Sequence, residues 1–577
     1  MVTLLSRVYF LSIKSNTYYE ELSKRNYINR IKKIPVRGII EDRNGKKLAI
    51  NKMGFSILIK PHLKSKQNKE KLNEALDLIV NNFPHLEKEK LLKTYNRKDS
   101  PYNHDFVEIV DYIPYQDFFS KYTLFSSKNT IKIESAVERF YPYRKAASHV
   151  IGYVGKASRL DILNNELSAH NGIIGKNGLE KFYNDKLQGK IGYKDIKVNA
   201  LNKEIETLDE KDASIDNSIK ISLDIELQRY VQKLFEGKNG AVIVMNAQNG
   251  EIISATSMPE FDNNIFASGI SVKEWNIMRN DLNHPFTNKL VNGLYPPGSI
   301  IKMGVALSFL ENGIDEDFTV QCSGSIRIGN RNFRCWKTNG HGNVDFRKAI
   351  RESCDDFFYK GSLQVGINKI SQTLDRFGFG QQTGVDQVNE FIGVNPNKMW
   401  KEKKFKQPWY VGETVITSIG QGNMLVTPMQ MARYTAFLAT GKLPKPHFYK
   451  ANYEEPEDLK ISEKELNILR QGMYDVAHHI KGTATRHINS KISIAAKTGT
   501  AQVISIPQSE KVRMKESELK YYHRSHAWLT TYGPYKNPKY VVTALVEHGG
   551  HGGIAAGNII SKIYDRLYDD GYITSKD

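Results

Sequence analysis

The tetrad Tyr295-Pro296-Pro297-Gly298 ends whatever element precedes it, and Ser299-Ile300-Ile301-Lys302 follows at once. Two prolines and a glycine in succession continue neither a helix nor a central strand. Beyond them Ile300, Ile301, Met303, Val305, Leu307 and Leu310 predict an apolar, buried helix that opens at Ser299. At a helix start the unpaired N–H groups and the macrodipole favour a developing alkoxide. The i, i+3 spacing puts Lys302 on the face of Ser299. Burial among apolar groups lowers an amine's pKa, so Lys302 is expected to be the general base for a Ser299 nucleophile.

Two later segments supply the rest of an acyl-transfer site. Ser353-Cys354-Asp355 brings a second hydroxyl and a carboxylate on a separate element. Lys497-Thr498-Gly499-Thr500 follows the alternating stretch 491–496, and 501–506 continues it, so the whole reads as a strand. Gly499 would let a substrate backbone approach closely. A second S-x-x-K, Ser517 to Lys520, sits in a polar stretch with no turn before it and reads as a solvated helix surface. Each word alone is short enough to arise by chance. All three, in this order and on these elements, form a recorded signature of penicillin-interacting serine enzymes.

Longer boxes extend the match. Arg37 to Gly45 (R-G-I-I-E-D-R-N-G) with Leu48-Ala49, Ser148 to Gly155 (S-H-V-I-G-Y-V-G) and Gly175 to Glu180 (G-K-N-G-L-E) lie in the first half. Ile419-Gly420-Gln421-Gly422 with Thr427-Pro428, and His526-Ala527-Trp528, flank the Lys-Thr-Gly strand. On these residues the chain resembles the class B penicillin-binding proteins almost end to end. Within them it is most similar to the penicillin-binding protein 2 branch, which also carries Asp where Asp355 stands. A lone β-lactamase domain would lack the first half.

The resemblance implies a peptidoglycan D,D-transpeptidase of cell-wall elongation that is acylated by β-lactams. A septal transpeptidase or a β-lactamase-like hydrolase or sensor is the alternative. It implies attack by Ser299 on the D-alanyl-D-alanine carbonyl of a stem peptide. The oxyanion would sit between the backbone N–H groups of Ser299 and Thr500. Ser353 would relay a proton to the leaving amine, and Asp355 would orient Lys302 or the acceptor. Lys497, Thr498, Gly499 and Thr500 would bind the substrate carboxylate and strand. His526 and Trp528 would line the acceptor side, with plain strand packing the other reading of Trp528. No cofactor is expected for catalysis. The implied partners are stem peptides, a RodA-type membrane glycosyltransferase, an MreC-type scaffold and the inner membrane, with the bulk of the chain in the periplasm.

The net charge of +19 admits nucleic acid as a partner, but no nucleic-acid motif accompanies it. A surface facing anionic envelope polymers and lipids accounts for the same balance. Residues 1–13 are mostly apolar, whereas a spanning helix needs about 20 such residues. Since the family carries one N-terminal anchor, 1–13 is expected to be the remnant of one. A short helix packed on the domain is the alternative.

Three cysteines, Cys322, Cys335 and Cys354, fall close together, with His341 between the last two. Three thiolates and an imidazole suit a closed, structural tetrahedral zinc. The spacing is wider than a zinc knuckle. The resemblance adds that some penicillin-binding protein 2 members hold a metal at matching positions. One disulfide with a free thiol, or three buried thiols, remain alternatives. His548 and His551, in H-G-G-H-G-G, have no third ligand nearby in sequence and read as a flexible surface loop.

The expected fold is α+β and multidomain. A β-rich, non-catalytic pedestal over 14–215 would carry an exposed helical insert at 68–94. Within it 38–50 reads as a hairpin turning at Asn44-Gly45, 55–59 as a further strand and 206–217 as an acidic linker or surface connection. The transpeptidase domain, 216–577, would hold an antiparallel sheet flanked by helices and an all-helical part. Helix 223–235, a hairpin over 240–256 and a strand near 540–548 belong to it.

Overall fold

The computed structural model describes residues 2–10, 28–65, 67–102, 104–199, 204–214, 217–504 and 515–577. The expected α+β architecture is present, a pedestal followed by a sheet-and-helix catalytic unit.

The pedestal is built on one long strand, Lys47–Ile59, which pairs with Ile40–Glu41, Val107–Pro114 and Ile131–Phe140. Residues 55–59 are therefore the end of that strand and not a separate one. The insert forms helices Lys69–Asn82 and Lys88–Lys98. It was expected to be exposed, but Leu72, Leu76, Ile79 and Tyr95 are buried with Phe83, Phe118 and Phe125 in a core of its own. Its many charges occupy the outer helix faces, which is how an amphipathic pair buries one stripe. The acidic segment is not a linker: Glu204–Lys211 is a strand paired to Gly192–Val198, which also pairs with Ile28–Lys33. Ion pairs such as Arg30–Asp195, at 2.6 Å, and Lys194–Glu204, at 2.8 Å, join these charged strands. Ile219–Lys220 runs parallel to Ile40–Glu41, so the chain enters its second half through the pedestal sheet.

The catalytic sheet is antiparallel, in the order Ile252–Met258, Gly240–Asn246, Tyr540–Val546, His526–Gly533, Ala495–Ala501. Thr530 and Thr531 point to opposite faces, as strand neighbours must. Thr530 hydroxyl meets Thr435 of helix Pro428–Thr440, and Thr531 hydroxyl meets Tyr564 of helix Gly552–Asp569. Helices thus cover both faces. The all-helical part includes Lys302–Glu311, Phe346–Arg351, Asp355–Val365, Ile367–Arg376 and Val411–Ser418.

Three local expectations change. Residues 491–494 are irregular and the strand begins at Ala495; residues 505 and 506 lie outside the described residues. The second Ser-x-x-Lys starts in a short 3-10 turn, Glu516–Glu518, with Ser517 and Lys520 exposed. Val2–Tyr9 is helical with no buried residue, so it does not pack on the domain. Among the described residues no helix is long and apolar enough to cross a membrane.

Candidate active site

Ser299 sits in a 3-10 turn, Gly298–Ile301, that runs into helix Lys302–Glu311. Gly298 adopts φ +56° and donates its N–H to Gly420 O at 2.9 Å. A Cβ on Gly298 would lie 2.8 Å from Thr500 O, and one on Gly499 would lie 3.1 Å from Pro297 O. Gly298 is therefore required for the Lys-Thr-Gly strand to seat against the serine turn, and a side chain at 499 would press on the same contact. Gln421 Nε2 donates to Thr500 O at 3.0 Å from the other side.

Lys302 is fully buried, yet its surroundings are not apolar. Its Nζ lies 2.7 Å from Asp355 Oδ1, 2.9 Å from Ser353 O and 3.3 Å from Ser353 Oγ. A charged ammonium has three donors, and these partners take all three. This corrects the expectation of apolar surroundings for Lys302. The amine that burial, and next the charge of Lys302, hold well below the usual lysine range is Lys497. Its Nζ lies 2.9 Å from Ser353 Oγ and 3.0 Å from Thr498 O. The Ser353 hydroxyl thus stands between two lysines. Its backbone is in the left-handed region, at φ +54°, which is uncommon for serine. Burial pushes the Asp355 carboxyl up, opposed by Lys302.

Thr498 and Thr483 hydroxyls meet at 2.7 Å. His526 is half-buried at the strand end level with Ala501. Its ring meets the edge of Tyr295, and its Nδ1 accepts from His548 N at 3.1 Å. Burial, and then His548, lowers its pKa to about 4. His548 is docked on His526, with ring centroids 4.7 Å apart, and its Nδ1 is 3.2 Å from Arg524 O. Trp528 is fully buried and donates its indole N–H to Pro296 O at 3.0 Å. It therefore does not line the cleft; strand packing is its role, and it braces the turn that carries Ser299.

Beside the second motif, Cys322, Cys335, His341 and Cys354 are all buried, and their ligand atoms lie within 4.8 Å of one another. No disulfide joins them. His341 Nδ1 is 3.5 Å from both Cys322 Sγ and Cys335 Sγ. A zinc tetrahedron with bonds of 2.0–2.3 Å has edges of roughly 3.5–3.8 Å, so the donor set and its spacing fit that ion. Four protein donors leave no open position, which suits a structural ion.

Trp336 had no signal in the sequence, and Tyr295 stood in the opening tetrad without a role. Trp336 N donates to Asp355 Oδ2 at 2.9 Å, and its indole Nε1 donates to Glu352 O and Ser353 O at 3.0 and 3.1 Å. Tyr295 hydroxyl donates to Glu547 Oε1 at 2.6 Å. Gln421 lay within a quoted box but without a role.

Comparison with known proteins agrees with this geometry. The penicillin binding protein transpeptidase domain matches residues 240–565, and the penicillin-binding protein dimerisation domain matches 32–221. The peptidoglycan D,D-transpeptidase MrdA of Salmonella typhimurium is 32% identical over 599 residues, covering 98% of this chain and 93% of that protein. The solved complex between penicillin-binding protein PBP2 and MreC from Helicobacter pylori contains a chain that is 44% identical, with a TM-score of 0.88, covering 95% of this chain and 99% of that one. Pseudomonas aeruginosa PBP2, solved in complex with WCK 5153, is 27% identical with a TM-score of 0.68, covering 94% and 98%.

Proposed function

Since the chain belongs to the class B penicillin-binding proteins, we propose that it is the peptidoglycan D,D-transpeptidase of cell-wall elongation, with Ser299 as its nucleophile. The observation that carries the residue roles is the Ser353 hydroxyl, hydrogen-bonded to both Lys302 and Lys497 beside the Ser299 turn. Lys302 takes the Ser299 proton as Oγ attacks the donor carbonyl. Ser353 Oγ, within reach of both amines, offers a path for protons between Lys302 and Lys497, the amine that burial favours as neutral. Asp355 holds Lys302 in place. The backbone N–H groups of Ser299 and Thr500 receive the oxyanion. Ser353 returns a proton to the leaving D-alanine amine, breaking the peptide bond and leaving an acyl-Ser299 ester. The amine of a neighbouring stem then attacks that ester, forms the cross-link and frees Ser299. Lys497, Thr498 and Thr500 bind the donor carboxylate and strand, and His526 borders the acceptor side.

Cys322, Cys335, His341 and Cys354 would hold a structural zinc, which would supply rigidity to the second motif and no chemistry to the reaction. The exposed apolar residues Tyr115, Phe119, Tyr122 and Leu124 of the pedestal suit a scaffold partner of the MreC type, the partner named for the Helicobacter relative. A RodA-type glycosyltransferase, an inner-membrane anchor and a periplasmic bulk complete the reading. Incubation with a fluorescent penicillin, followed by mass mapping, tests the core of it. The label is expected on Ser299 and absent from Ser299→Ala; covalent labelling of Ser299→Ala would overturn the assignment.

A further inference from the structure

We propose that Trp336 is a positioning residue for acylation, clasping the second motif from outside so that the Ser353 hydroxyl stays aimed between the two lysines. The inference rests on the transpeptidase reading above and adds a residue to which neither motif nor resemblance gave a role. Two donors of Trp336 make three hydrogen bonds to Ser353-Cys354-Asp355 and the residue before it. Its backbone N–H holds Asp355 Oδ2 at 2.9 Å, on the carboxylate whose other oxygen meets Lys302 Nζ at 2.7 Å. Its indole Nε1–H reaches Glu352 O at 3.0 Å and Ser353 O at 3.1 Å. Ser353 O is also the acceptor for Lys302 Nζ at 2.9 Å.

The clasp has something to hold. Ser353 occupies the left-handed region at φ +54°, a conformation a serine keeps only when its surroundings over-determine it. Asp355 N–H points to Cys335 Sγ at 3.4 Å, so Cys335 and Trp336 grip both the backbone and the carboxylate of Asp355. The indole itself is half-exposed, 51%, with one edge against His341 at 5.4 Å between centroids. A tryptophan kept for core packing would be buried. Here the ring faces outward, and its one polar atom is turned in to the catalytic loop.

The experiment separates the N–H from the ring. Benzothienylalanine at position 336 keeps the shape and lacks the donor; Trp336→Phe is the second variant. Acylation by a fluorescent penicillin is followed over concentration, so that binding and the acylation rate constant are read separately. The expected result is an acylation rate constant about tenfold lower in both variants, with binding and melting temperature unchanged. In a Ser353→Ala background, adding Trp336→Phe should cost less than about threefold more, since little is left to aim. An unchanged rate constant in the benzothienyl protein, or a loss fully additive with Ser353→Ala, would overturn the assignment. A parent chain that takes no label would instead sink the transpeptidase reading.

Discussion

Lys302 and Asp355 form a buried ion pair, with Nζ 2.7 Å from Oδ1, the lysine fully enclosed and the carboxylate nearly so. Removing one member of such a pair leaves the other charge buried alone, which costs more than the pair itself contributes. Asp355→Ala should therefore lower the stability of the catalytic unit by about 3 kcal/mol in chemical denaturation. Asp355→Asn keeps an acceptor for Lys302 and should lose less. Both should slow penicillin acylation, Ala more than Asn; an Ala variant as stable as the parent would contradict the buried pair.

His526 sets a pH dependence. Its folded pKa is lowered to about 4 by burial and then by His548, against an ordinary value of 6.5. The unfolded chain binds the proton more readily, so acid favours unfolding. The stability tied to the neutral ring is complete above pH 6.5 and is lost as pH falls toward about 4. Between pH 7 and 5 this amounts to about 2 kcal/mol. Denaturation midpoints should fall less over that range in His526→Phe than in the parent; equal falls would show that the ring is not excluding the proton.

Metal content tests the cysteine cluster. Protein purified without chelator should carry about one zinc per chain, and Cys322→Ser with Cys335→Ser should carry little. Chelation should also lower the melting temperature, because Cys335 Sγ accepts from the backbone N–H of Asp355. Zinc below about a tenth of an equivalent would rule the site out.

Glu180 anchors the pedestal. Its fully buried carboxylate meets Arg37 Nε at 2.7 Å through one oxygen and Arg139 Nε at 2.7 Å through the other. Burial alone would raise its pKa, but Arg139 and Arg37 outweigh it and the net direction is down. Glu180→Ala strands two buried guanidinium groups and should destabilise the pedestal by about 3–5 kcal/mol. Protease digestion should attack residues before 219 first, while Ser299 in the catalytic unit still takes the penicillin label. Simultaneous loss of both would mean that the two halves do not unfold separately.

The sequence by itself determined what local patterns can encode. The Pro-Pro-Gly stop, the apolar run after Ser299 and the alternation around Lys497 placed a serine turn, a helix and a strand, because backbone preference and side-chain periodicity act over a few residues. The boxes with Arg37 and Glu180 were legible as words. Only the tertiary structure decided that they meet in one buried ion cluster. The same holds for Trp336 over Ser353, for the removal of Trp528 from the cleft and for the turning of an acidic linker into a paired strand. Such contacts depend on how separate elements pack and pair, which periodicity over a few residues does not encode. The lysines make the point most sharply. Both are buried, but their neighbours differ: Asp355 lies against Lys302, whereas burial and then the charge of Lys302 hold Lys497 below the usual lysine range.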